Sequence, residues 1–262
     1  MEPQCYFAEK IAGEHFSIYA AVPPGQSPET YDPSPREMVR IARCRAYLQI
    51  GRIGFELAWM DAIRRNNPQV AYFDLSEGVE WIESAHGHGT AHTHGHTHAD
   101  PHIWTSTVNA EIMARNVMQA FIRIDSVHES AFRDNCRQLC GEIDATRRAL
   151  HEMLDTLSCR TFVIYHPSLT YFADEFGLTQ LAIETDGKEP SALSMKTLVD
   201  RARAAGVRTV FVQQEFDRKH AELLAAEINA GVTVINPLDR HWNEQLVFIA
   251  RALCGNAPPP HE

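Results

Sequence analysis

The stretch DSVHESAFRDNCRQLCGEIDATRRALHEMLDTL, Asp125 to Leu157, contains no proline and a single glycine, Gly141. Its apolar residues Val127, Phe132, Leu139, Ile143, Leu150 and Leu154 recur at helical spacing, so the whole segment reads as one helix. At the α-helical rise a helix of about 30 residues is roughly 45 Å long. A helix of that length joins what lies on either side of it stiffly.

Both sides read as alternating strands and helices. Upstream, His15 to Val22 places Phe16, Ile18, Ala20 and Val22 on alternate positions before Pro23-Pro24-Gly25, the pattern of a strand running into a turn. Pro35 to Tyr47 has helical periodicity through Met38, Ile41 and Ala42, with Pro35 suited to a first turn. Ala46 to Ile50 is a short strand, Phe55 to Arg65 a helix, Val70 to Leu75 a strand and Val108 to Arg123 a helix. Downstream, strands are expected at Thr161 to Tyr165, Val207 to Gln213 and Val232 to Asn236. Helices are expected at Met195 to Ala205, Lys219 to Asn229 and Glu244 to Leu253. The fold class is therefore α/β, with two lobes, each a small sheet flanked by helices. The expected division is an N-terminal lobe over residues 1–124, a linker helix over 125–157, a C-terminal lobe over 158–254 and a disordered tail over 255–262 that carries Pro258-Pro259-Pro260.

Composition narrows the function. At 44% hydrophobic and 22% charged, the 262 residues are those of an ordinary globular protein. The formal charge of −10 repels a phosphate backbone, so nucleic acid is not an expected partner. No run of apolar residues approaches the roughly 18 of a membrane span. Met1-Glu2-Pro3-Gln4 has neither the basic start nor the apolar core of a secretory signal. The six cysteines contain no CxxC pair, which argues against a zinc ribbon or a thioredoxin-like motif. Cys136 and Cys140 share a helix face without being well placed for a disulfide, and buried free thiols are the simplest reading.

Histidine is the residue in excess. Of 14 histidines, six fall between His86 and His98, in a Gly- and Thr-spaced loop spanning residues 83–99. Imidazole is the commonest side-chain ligand for zinc, but a tight site needs about four donors converging from ordered backbone. The loop supplies donors with little preorganisation, so weak, rapidly exchanging metal binding is expected of it. His102, in Asp100-Pro101-His102-Ile103-Trp104, and His166, just past a strand in Tyr165-His166-Pro167, sit instead at the edges of ordered elements. Strand ends in α/β sheets are where binding sites collect. Alone, each reads more readily as a satisfied core histidine than as a ligand.

Together these segments resemble the metal-specific substrate-binding proteins of ABC importers, the zinc and manganese uptake family. The motifs that carry the resemblance are the His-rich loop followed by Asp100 to Trp104, the His-x-x-x-x-Tyr-Phe element His166 to Phe172, Phe176-Gly177-Leu178, the early Pro23-Pro24-Gly25 and the terminal Asn236-Pro237-Leu238. The resemblance implies two lobes joined by a rigid helix, with one metal ion in the interlobe cleft. It assigns His102 and His166 as ligands, one from each lobe. Two positions depart from the family pattern. Many members have His in Asp-Pro-His-Thr-Tyr, where this chain has Ser27-Pro28-Glu29-Thr30-Tyr31, so Glu29 takes that place. The family usually has Asp before Pro-Leu, where this chain has Asn236. A carboxylate is a sensible substitute ligand, whereas a neutral amide is a poor donor, which leaves water or Asp239 to complete the sphere. Zinc is the expected ion on the strength of the His-rich loop, with manganese the alternative.

The resemblance also implies a partner and a place. The chain is expected to be a monomer that hands its cargo to an ABC permease in the periplasm or extracellular space, with a trimmed leader or a late start accounting for the missing signal. A stand-alone zinc buffer would use the same chemistry. A zinc hydrolase would need an open ligand position beside a base such as Glu184 or Glu215. No HExxH or GxSxG motif supports it, so no enzymatic activity is expected.

Overall fold

The structure, a computed structural model, describes residues 1–83, 99–184 and 190–255. The His-rich segment His86 to His98 and the tail beyond Gly255 lie outside the described residues. By its contacts the chain forms two compact units. The first comprises Met1–Glu80, Ser106–Ala145 and Leu238–Trp242; the second comprises Trp81–Thr105, Thr146–Pro237 and Asn243–Glu262.

The first unit opens with helix α1 (Glu2–Ala12), followed by α2 (Pro35–Ala42), β1 (Ala46–Gln49), α3 (Gly54–Asn66), β2 (Ala71–Asp74) and α4 (Thr107–Ile124). Strands β1 and β2 pair in parallel, Ala46 opposite Ala71 and Gln49 opposite Asp74. Helix α2 starts where the sequence places it because Ser34 and Glu37 cap each other. The Ser34 hydroxyl accepts from Glu37 N at 3.3 Å, the Glu37 carboxylate accepts from Ser34 N at 2.7 Å, and Pro35 fills the first turn. His15 to Val22 forms no strand. Its alternation serves packing instead, since Phe16 stacks on Phe132 and tilts against Phe121 with ring centroids 5.6 and 4.8 Å apart.

Helix α5 (Glu129–Leu154) runs from the first unit into the second and is preceded by a 3-10 turn, Ser126–His128. Its buried residues Phe132, Cys136, Leu139, Ile143, Thr146, Leu150 and Leu154 form a single stripe at spacings of three and four. Fully burying each such Leu, Ile or Phe contributes about 1.5–3 kcal/mol. Truncating Phe132, on which Phe16, His15 and Phe121 pack, would cost about 3–5 kcal/mol. Val127, read from the sequence as part of this stripe, lies in the 3-10 turn and is 86% exposed.

The second unit holds β3 (Thr161–Ile164), α6 (Thr170–Glu175), β4 (Thr179–Ala182), α7 (Ala192–Ala204), β5 (Thr209–Gln213), α8 (Lys219–Ile228), β6 (Gly231–Ile235) and α9 (Trp242–Leu253), of which only the first residue of α9 counts with the first unit. The strands form one parallel sheet in the order β4-β3-β5-β6. Buried Val163, Leu181, Val210 and Val212 pack with Leu198 and Ala202 of α7 and Leu224 of α8 to make its core. The chain turns to one side of β3 to build β4 and to the other side to build β5. The C-terminal ends of β3 and β5 therefore flank a topological switch point, where α/β sheets present ligand sites.

Candidate metal centre

His166 follows β3 at that switch point, and Gln213 at the end of β5 fixes its backbone. The Gln213 amide donates to His166 O at 2.6 Å and to the Ser168 hydroxyl at 2.8 Å, while its carbonyl accepts from His166 N at 3.3 Å. Gln213 is 1% exposed, so the loop is held from inside the sheet. The His166 ring stacks on Phe216, with centroids 5.5 Å apart and planes 18° apart.

His102 arrives on the segment Trp81–Thr105, which packs with the second unit although it precedes α5 in the chain. Three contacts hold it there. The Trp104 indole donates to Pro237 O at 2.8 Å, just past β6. The Tyr171 hydroxyl, from α6, donates to Asp100 O at 2.9 Å and accepts from Ile82 N at 3.1 Å. Asp100 N donates to Ile82 O at 2.9 Å, and Glu83 and Ala99 form an antiparallel bridge. Tyr171 thus clamps the two chain ends from which the His-rich segment departs.

The two rings meet. His102 Nε2 and His166 Nε2 are 3.3 Å apart, and the ring centroids are 5.1 Å apart at 71°. Behind each ring stands a carboxylate. Asp100 Oδ1 lies 2.8 Å from His102 Nδ1 and also accepts from His102 N at 2.9 Å. Glu184, which follows β4, lies 3.3 Å from His166 Nδ1. With Nδ1 turned towards a carboxylate, a ring that carries its hydrogen there presents the Nε2 lone pair to a metal ion. Burial opposes charge on Asp100, but the His102 imidazole and the hydrogen bonds from His102 and Thr170 outweigh it and hold the carboxyl below its ordinary range. Burial pushes the nearby Glu215 carboxyl up, against the pull of both imidazoles.

In that tautomer both Nε2 atoms are able to donate to one cation. Among the described residues no group of three or more His, Cys, Asp or Glu side chains is set to hold a metal ion. Asn236 is half-buried and follows β6, on the same C-terminal edge of the sheet. Glu29 belongs to the first unit, where its Oε2 accepts from Gly54 N at 3.1 Å at the start of α3. The glycine is required there. A Cβ on Gly54 would stand 2.2 Å from Glu29 O.

Asp100 and Tyr171 were within motifs the sequence displays, yet neither had a role assigned. Glu184 entered the sequence reading only as a hypothetical base. The signal for Asp100 was its position two residues before His102, the spacing at which an Asp side chain bonds to the backbone ahead of it. Nothing in the sequence pairs Glu184 with His166.

Residues 1–249 match the family described as zinc-uptake complex component A, periplasmic. A crystal structure of ZnuA superposes with a TM-score of 0.90 at 31% identity, covering 97% of this chain and 96% of that one. The high-affinity zinc uptake system protein ZnuA of Bacillus subtilis (strain 168) is 24% identical over 245 residues, 90% of this chain and 76% of its own length. The manganese ABC transporter substrate-binding lipoprotein PsaA of Streptococcus anginosus is 24% identical over 237 residues, 86% of this chain and 74% of its own length.

Proposed function

Because the chain belongs to the family of zinc-uptake complex component A, we propose that it captures a divalent transition-metal ion, zinc in preference to manganese, at His102 and His166 and delivers it to an ABC permease for uptake. The ion is cargo, and the family is a transport component rather than an enzyme. One observation carries the reading: the 3.3 Å separation of the two Nε2 atoms. Two Zn–N bonds of about 2.0–2.1 Å meeting at the tetrahedral angle place their nitrogens about 3.3–3.4 Å apart. The pair is therefore spaced for two corners of a tetrahedral ion, with both Nδ1 atoms already committed to carboxylates.

Donor chemistry supports zinc. Imidazole nitrogen suits zinc, whereas manganese prefers carboxylate, carbonyl and water oxygen. The relative from Bacillus subtilis is named for zinc and that from Streptococcus anginosus for manganese, so the family spans both ions. Asn236 and, on sequence grounds, Glu29 are the candidates for the remaining positions, with water or Asp239 as substitutes. The family description names a periplasmic component, which supports a periplasmic or extracellular location, and a monomer docking on the permease is the simplest arrangement.

The test is competitive titration of zinc and manganese against a chromophoric chelator in the parent, His102→Ala and His166→Ala. The parent should hold one tight zinc equivalent in preference to manganese, and each variant should lose it. A tight equivalent surviving in both variants would move the site elsewhere.

A further inference from the structure

Cys136 and Cys140 stand four apart on α5, within the part of the helix that belongs to the first unit. Residues so spaced share a helix face. Cys136 is the largest influence on the acidity of the Cys140 thiol. Cys136 is 4% exposed, and its thiol donates to Ala114 O of α4 at 3.8 Å, which closes the inner side of the pair. Cys140 is half-buried, so the outer side is reachable from solvent.

We propose that Cys136 and Cys140 form a separate metal site that takes a monovalent soft cation, Cu(I), between two thiolate sulfurs.

The helix argues against the other fate of two neighbouring thiols. Cβ atoms at this spacing are about 5–6 Å apart on a helix, whereas a disulfide needs about 3.5–4.5 Å. Joining the sulfurs directly would unwind a turn of α5. An ion between them adds two metal–sulfur bonds of about 2.3 Å each, the zinc–thiolate length taken as a guide, and so spans the gap with the helix intact.

The acidity of the pair points the same way. Cys136 is the largest influence on Cys140 and lowers its thiol to about 7, with burial opposing and the Arg115 guanidinium assisting. The same pairing raises Cys136. One sulfur is thus thiolate near neutral pH, the form that binds metal. When the ion binds, the remaining thiol proton and any on Cys140 leave to solvent, two metal–sulfur bonds form, and no oxidation state changes. A monovalent ion between two thiolates leaves one net negative charge, which Arg115 of α4 faces; Glu111, its neighbour on the same helix, opposes it weakly.

Donor number selects the ion. Among the described residues no third His, Cys, Asp or Glu joins the pair in a group able to hold a metal. Zinc in protein sites is almost always four-coordinate, and hard divalent ions take six or more oxygens. Thiolate softness selects Cu(I), which two sulfurs satisfy.

The experiment is anaerobic titration of the full chain with Cu(I) against bicinchoninate, with zinc present in excess to occupy imidazole sites. The parent should hold one Cu(I) equivalent with thiolate-to-copper absorption in the near ultraviolet. Cys140→Ala and Cys136→Ser should each weaken it by on the order of 100-fold or more, beyond the loss of an outer-shell partner, and leave zinc uptake unchanged. Because Cys136 is buried, the half-buried Cys140 variant decides the matter, with circular dichroism to establish that it folds. A parent that yields all its Cu(I) to bicinchoninate overturns the proposal. So does a folded Cys140→Ala that keeps the equivalent, which would then belong to Cys5, Cys44, Cys159 or Cys254.

Discussion

His102 and His166 are 64 positions apart in the chain, yet their Nε2 atoms face each other at 3.3 Å, each ring backed at Nδ1 by a carboxylate. The carboxylates set which nitrogen is offered to an ion and how firmly the ring is aimed.

Asp100→Asn should therefore lower zinc affinity by about 10- to 100-fold without removing a ligand. The same substitution tests the pH dependence of stability. Asp100 has its folded-state pKa lowered from 3.8, so the stability it contributes is present above 3.8 and is lost as pH falls through the lowered value. Denaturant unfolding should find the parent more stable than the variant by on the order of 1 kcal/mol at neutral pH, a difference that vanishes in strong acid. An equal gap at all pH values would disconnect Asp100 from the ring.

Removing residues 84–98 takes away the six clustered imidazoles and spares Asp100, His102 and the Glu83–Ala99 bridge. Calorimetric titration should lose the weak zinc equivalents and keep one tight one. If the tight one disappears as well, the imidazole pair is not its seat.

Glu29 has a structural duty at Gly54 N whatever else it does. Gly54→Ala drives a Cβ into Glu29 O and should destabilise the fold by about 1–3 kcal/mol. Glu29→Gln keeps an acceptor for Gly54 N, so folding should change little while zinc affinity falls. Unchanged zinc and manganese affinities in that variant would leave Glu29 with the helix α3 role alone.

The rate of Cys140 alkylation by iodoacetamide should rise through a midpoint near pH 7, because Cys136 favours its thiolate. Cys136→Ala deletes that neighbour and should move the midpoint towards 9, the ordinary thiol value. Mass spectrometry of the labelled peptide resolves Cys140 from the other thiols. Midpoints that coincide in the two proteins would mean that the two sulfurs do not interact.

Periodicity made much of this fold legible. The stripe Phe132, Leu139, Ile143, Leu150 and Leu154 identified the long helix because its burial follows a single 3.6-residue period. Short buried strands such as β5 were equally plain. The alternation at Phe16 to Val22 misled, because alternation reports sidedness and a strand also needs a partner for its backbone. Helix α6 and strand β4 were missed; at six and four residues they are too short for a period to register. At the site, His102 and His166 were found through their motifs. That Trp81–Thr105 packs with the later unit, and that Glu184 stands behind His166, depends on tertiary folding that no local pattern encodes.

The most direct test of the imidazole pair is long-range proton–nitrogen correlation NMR of the histidine rings as one equivalent of zinc is added. The account predicts that the Nε2 resonances of His102 and His166 both move to the metal-bound range while each Nδ1 keeps its proton. If either ring binds through Nδ1, or either Nε2 stays where it was, the shared-ion arrangement at 3.3 Å is contradicted.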